Sequence, residues 1–218
     1  MDLPEVLLEV DAWTGYLSEF THMAMADGQS GSRMADLTTS MAAVLVAEGC
    51  NLGFASVVKP GHPALTRARL SHVRQNYLRA DTLAAANARL ITAQGAIEIA
   101  QLWGGGQVAS VSGLRFVVPV RTLDAGPNPH YFGQHRGVTW INAINDQVAS
   151  IGAVVVTGTM RDSLHALGVI LSRDGGPAPE IITTDTASYS DIGFGYSACW
   201  ATISAPAWPT CPTSACGA

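Results

Sequence analysis

The chain has 218 residues, 48% hydrophobic and 13% charged, which is enough apolar side chain for one or two soluble domains with a true core and too much for a disordered tail. Its net charge of -5 argues against tight autonomous binding to nucleic acid, whose affinity comes largely from neutralised phosphates. The acidic N-terminus does not read as a secretory signal, and runs such as "MAAVLVA" and "IGAVVV" are far short of the ~20 apolar residues of a membrane helix, so a cytoplasmic protein is expected.

In chain order, residues 1 to about 103 read as helical. "LPEVLLEVDAWTGYL" has apolar residues at helical spacing, "MADLTTSMAAVLVAEGCNLG" ends in a helix stop, and the segment from Pro63 to Gly95 is long enough for one extended helix or two. From Lys59 to Arg79 the charged residues are all basic: Lys59, Arg67, Arg69, Arg74 and Arg79. This is a solvated helix face or a phosphate-facing surface.

The pattern changes at "WGGGQVAS". The runs "QVASVS", "LRFVVPV" and "GVTWINAIND", separated by turn-forming segments, predict consecutive antiparallel strands. Then "TMRDSLHALGVILSR", apolar at Leu164, Leu167, Ile170 and Leu171, predicts a helix, and "EIITTD" a further strand, parallel because a crossover reaches it. The expected fold class is α/β, a partial ribonuclease H-like mixed sheet over 104–195 preceded by a helical segment over 1–103. The Pro/Ala/Ser/Thr/Cys-rich stretch 196–218 is expected to be disordered.

Asp185, after the β-branched run of "EIITTD", is either a helix cap or a metal-binding carboxylate at a strand end. Cys50 stands alone, while Cys199, Cys211 and Cys216 match neither a metal knuckle nor a paired disulfide frame. The six histidines lack zinc-site spacing and read as surface or satisfied polar residues. Trp140 reads as core. The run "WGGGQ" precedes a strand and so lacks the strand-to-helix context of a nucleotide-binding turn.

The phrases "LLEVDAWTGYLSEFTHM", "LRADTLAAANARLITAQ", "WGGGQVASVSGLRFVVPVRTLDAGPNPHYFGQHRGVTWINAINDQ", "GTMRDSLHALGVIL" and "IITTDTASYSDIGFG" closely resemble the transposases of class II replicative transposons, the Tn-three family. Family members are several times longer, so the resemblance implies a fragment holding the helical segment and roughly the first half of the catalytic domain. It also implies Mg2+-dependent DNA nicking and strand transfer, with transposon-end DNA, target DNA and intact transposase as partners. It assigns the second catalytic, metal-binding acid to Asp185 and the first to Ser112, where "VASVSGLRF" has serine in place of the family's aspartate. A hydroxyl lacks the anionic oxygen that Mg2+ prefers, and Asp124, on another segment, is a poor substitute. The third acid, a glutamate, is expected beyond residue 218. Arg115 and the Lys59 to Arg79 face become candidate DNA contacts. From about Tyr196 the chain reads as the family's continuation in a shifted frame. An inactive catalytic fragment with weak or absent Mg2+ binding is therefore expected. The alternative is a non-enzymatic remnant that binds DNA or intact transposase and inhibits transposition. A third reading, a small-molecule α/β enzyme built on the glycine run, requires a nucleotide that shifts the melting temperature.

Overall fold

The computed structural model describes residues 2–23, 34–120, 122–158 and 164–184, and the backbone of 203–206. The chain divides into two compact units, Met1–Ala93 and Gln94–Ala218. This division lies ahead of the change of pattern at Gly104. Gln94 explains why, since its Nε2 donates to the carbonyl of Gln147 (2.6 Å), while Gln147 Nε2 donates to the carbonyl of Gly104 (3.0 Å).

The first unit is helical. Helix α1 (Leu3–Thr14) opens with the Asp2 N–H donating to Glu5 (3.0 Å) and closes on Gly15 at φ 67°, a left-handed position that glycine adopts at little cost. Helix α2 (Leu37–Gly49) carries an unbroken apolar run from Met41 to Ala47 and buries Met41 and Val44. The segment from Pro63 to Gly95 forms two helices, α3 (Arg67–Tyr77) and α4 (Ala80–Gly95), separated by the extended Leu78. Thr66 caps α3 by accepting from Arg69 N, and Thr82 Oγ1 accepts from Arg79 N (3.1 Å) where α4 starts. Leu70, Val73 and Tyr77 turn one face of α3 onto α2, with Tyr16, Leu17 and Phe20 completing the core.

The second unit begins with α5 (Glu98–Trp103) and continues into a mixed sheet. Strand β1 (Val108–Val117) pairs antiparallel with β3 (Arg136–Asn145), which also pairs antiparallel with β4 (Ser150–Thr157) and with the short β2 (Gly126–Pro127). On its other side β1 pairs parallel with β5 (Ile181–Thr184). The helices α6 (Pro129–Phe132) and α7 (Ala166–Leu171) fill the connections. This is the expected α/β class: three antiparallel strands, a helix, and a parallel strand beside the first, consistent with a partial ribonuclease H-like fold.

The strands differ from expectation in membership. "QVASVS" and "LRFVVPV" are one strand, β1, running through Gly113, and the third antiparallel strand is β4, drawn from "IGAVVV". Gly113 needs no break because its neighbours still pair, Ser112 with Asn142 and Leu114 with Trp140. Helix α7 buries Ala166, Val169 and Ile170; of the four apolar positions read from the sequence, Ile170 is buried and Leu167 packs against the core, whereas Leu164 and Leu171 are exposed. It packs on the sheet face formed by Ala109, Val111, Ile141, Ala143 and Ile182. Within the stretch expected to lack structure, Ile203–Pro206 form β6, parallel to β5. An unpaired strand edge offers N–H and C=O groups that any extended segment can satisfy.

Candidate functional site

The parallel pairing of β1 and β5 runs from Val108↔Ile181 to Val111↔Thr184. Ser112 comes next on β1, and Asp185 comes next in sequence after Thr184 but lies outside the described residues. Side chains alternate across a strand, and burial follows that alternation: Ala109 and Val111 are buried under α7, whereas Ser110, Ser112, Leu114 and Phe116 are exposed on the opposite face. Ser112 faces the same way as its register partner Asn142, whose Oδ1 accepts a hydrogen bond from Ser150 Oγ (2.6 Å). The donors described around Ser112 are therefore a hydroxyl and an amide. They do not fit a divalent cation, which prefers several hard anionic oxygens. Among the described residues no three His, Cys, Asp or Glu side chains are grouped to hold a metal. Asp124 sits in the loop before β2, exposed, with its N–H donated to Thr122 Oγ1 (3.0 Å).

The basic candidates separate into two sets. Arg69 donates to Ser40 Oγ (3.2 Å) and to the carbonyl of Ala35, tying α3 to the start of α2. Arg74 pairs with Glu48 (3.0 Å). Arg79 forms a bidentate pair with Asp81 and donates to the carbonyls of Thr21 and Asn76, and this pairing lowers the Asp81 pKa. Lys59 and Arg67 are exposed and make no side-chain hydrogen bond or ion pair among the described residues. Arg115 is exposed on β1, its guanidinium 3.8 Å from the centre of the Tyr131 ring. Sequence reasoning saw the row of positive charges but not these partners. The local hints were that Arg69 follows the capping Thr66 by three residues and that Asp81 comes two residues after Arg79.

The glycine run has a steric reason. A Cβ on Gly104 would lie 2.4 Å from Cγ and Oδ2 of Asp146, and one on Gly106 would lie 2.3 Å from Cγ of Pro177. Asp146 Oδ1 accepts the Gly106 N–H (2.7 Å), so the run packs against the β3–β4 turn. Trp140 is half-buried rather than core, because it shares the open sheet face with the exposed Leu114 and Val155. His22 and His72 cluster with Tyr77, ring centres 5.1 Å and 6.3 Å away. His165 Nε2 is buried and has no hydrogen-bond partner among the described residues. Cys50 is exposed, and no helix of the described residues is long and apolar enough to cross a membrane.

Comparison with known proteins gives a match between residues 5–204 and the family model described as Tn3 transposase DDE domain. The chain is 56% identical over 195 residues to the transposase for transposon Tn4556 of Streptomyces fradiae, covering 89% of this chain and 21% of that protein. It is 51% identical over 195 residues to the transposase for transposon gamma-delta of Escherichia coli strain K12, covering 89% and 19%. It is 33% identical over 193 residues to the transposase for transposon Tn501 of Pseudomonas aeruginosa, covering 88% and 19%. The chain thus spans about a fifth of the length of these relatives.

Proposed function

The chain belongs to the Tn3 transposase DDE domain family, and from that premise we propose that it carries part of the catalytic region of a replicative transposase in which the first acid position is disabled. The family reaction is nicking of transposon ends and joining of the freed 3′-hydroxyl to target DNA. Divalent metal use is general to such domains, and Mg2+ is the proposed ion. In this chain Asp185 takes the second acid position and Ser112 the first. The supporting observation is the β1–β5 register, which ends at Val111↔Thr184, one residue short of Ser112 on one strand and of Asp185 on the other. A serine contributes no negative charge there, so one carboxylate must offset metal dehydration without its partner. Weak metal binding and no nicking follow.

The test is strand nicking on transposon-end DNA with Mg2+. The unmodified chain is expected to leave the substrate intact. Nicking that disappears in Asp185→Ala would overturn the reading.

A second reading keeps the fold and drops the chemistry. Both units have closed cores, so the chain could occupy DNA or an intact transposase without cutting. In that case, adding it to an active family member suppresses nicking in proportion to its concentration. No suppression at excess chain removes this reading.

A further inference from the structure

At the C-terminal end of β1 a cavity of about 490 Å³ is lined by Val118, Pro119, Val120, Gln134, His135 and Arg136. Its polar side is a guanidinium, an imidazole and an amide, and its other wall is apolar. His135 and Arg136 are exposed and make no side-chain hydrogen bond or ion pair among the described residues. The surrounding sequence is locally basic in an acidic chain: between Ile99 and Asn145 it has Arg115, Arg121 and Arg136 against one acid, Asp124.

The register relates this cavity to Ser112. Ser112 pairs with Asn142, and the β1–β3 pairing continues to Val117↔Gly137, with the Val118 N–H donating to the Arg136 carbonyl (2.9 Å). Arg136, Val138, Trp140 and Asn142 alternate onto one face of β3, the face that carries Ser112. From Ser112 to Val118 is ~20 Å at strand rise, a span that a B-form strand covers with about six phosphates. Along it lie the exposed Leu114 and Phe116, 56% and 51% accessible, which present no acid to a polyanion.

We infer that the His135–Arg136 cavity holds a backbone phosphate of DNA whose chain runs along the open face of β1 toward Ser112. This rests on the transposase reading and deepens it by naming a contact away from the acid positions. A planar guanidinium suits bidentate binding of a phosphate, with Gln134 and His135 as added donors. The apolar wall of Val118, Pro119 and Val120 receives the sugar. A phosphate contact carries no base information, so its effect is uniform across sequences.

Fluorescence anisotropy with labelled transposon-end DNA and an unrelated duplex, over a range of salt, tests this on the whole chain. Arg136→Gln, which keeps a polar side chain of similar reach, is expected to weaken both duplexes alike, roughly three- to tenfold, and to reduce the slope of log K against log salt by about 0.9. His135→Gln combined with it weakens binding further. Circular dichroism and melting of each variant confirm that the fold is kept. Unchanged affinity and slope in a folded Arg136→Gln overturn the inference, as does loss confined to Lys59→Gln and Arg67→Gln. Absence of DNA binding by the unmodified chain also overturns it, while leaving the reading of Ser112 and Asp185 to be judged on metal binding. Sedimentation at the same concentrations separates DNA from a second copy of the chain as the occupant: a dimer broken by Arg136→Gln counts against the inference.

Discussion

Replacing Gly104 by alanine tests the steric account of the glycine run. Gly104 has φ 169°, extended backbone open to any residue, so alanine meets no conformational strain and gains about 0.4–1 kcal/mol by restricting the unfolded chain. Against this, the new Cβ lies 2.4 Å from Asp146 Cγ and Oδ2 and 2.8 Å from its Cβ, the three atoms nearest to it. Asp146 must swing away, losing the Gly106 N–H bond at 2.7 Å. A hydrogen bond to a charged group contributes about 1.5–3 kcal/mol, and an off-rotamer side chain costs about 0.5–1.5 kcal/mol. The expected net loss is about 1.5–3 kcal/mol by urea denaturation. Asp146→Gly is the clean partner mutation, since alanine would keep the Cβ at 2.8 Å. In that background Gly104→Ala should cost nothing or stabilise slightly, giving a coupling of about 2 kcal/mol. Equal costs in both backgrounds would refute the reasoning and reopen a ligand-binding role for the run.

In the first unit, Leu70 is fully buried, and Leu70→Ala should destabilise by about 3–5 kcal/mol, read from the urea midpoint. Burial and, secondarily, Asp11 push the Tyr16 pKa from 10.0 up to about 12. Because the folded value lies above the unfolded one, this stability is fully present below pH 10 and is lost as pH rises through about 12. It is worth on the order of 2–3 kcal/mol, and melting curves of Tyr16→Phe should lack that alkaline fall. Arg69→Gln breaks the ties to Ser40 and Ala35, so it should lower the melting temperature while leaving DNA affinity per folded molecule unchanged, the opposite of Arg67→Gln if that face binds phosphate.

The strand order was legible because alternation and β-branched runs in "QVASVS", "GVTWINAIND" and "EIITTD" are local signals. Where two runs merge through Gly113, or where "IGAVVV" is an edge strand and not a helix core, the deciding contacts are cross-strand and leave little local trace. On α7 the apolar Leu167 and Ile170 turn toward the sheet, which also takes the smaller Ala166 and Val169 and leaves Leu164 and Leu171 exposed, a choice made by cross-element packing. Trp140 was assigned to the core by its type, but an open sheet face leaves it half-buried. Asp185 stood out by its place after a β-branched run, but its rank as second acid and the whole case for Ser112 came from the resemblance, and no spacing or composition argument would have singled out a serine. The structural role of Arg69, and the bond from Arg79 to the carbonyl of Thr21, depend on groups brought in by other segments, which a row of charges cannot reveal.

The central claim is that Ser112 and Asp185 occupy paired acid positions and that the serine disables the pair. Calorimetric titration of Mn2+ and Mg2+ into the unmodified chain, Ser112→Asp, and Ser112→Asp with Asp185→Ala tests it most directly. The account predicts millimolar or undetectable binding at first, at least about tenfold tightening in Ser112→Asp because a second hard anionic oxygen shares the ion, and reversal when Asp185 is removed. Micromolar binding by the unmodified chain, or a Ser112→Asp gain that survives Asp185→Ala, would contradict it.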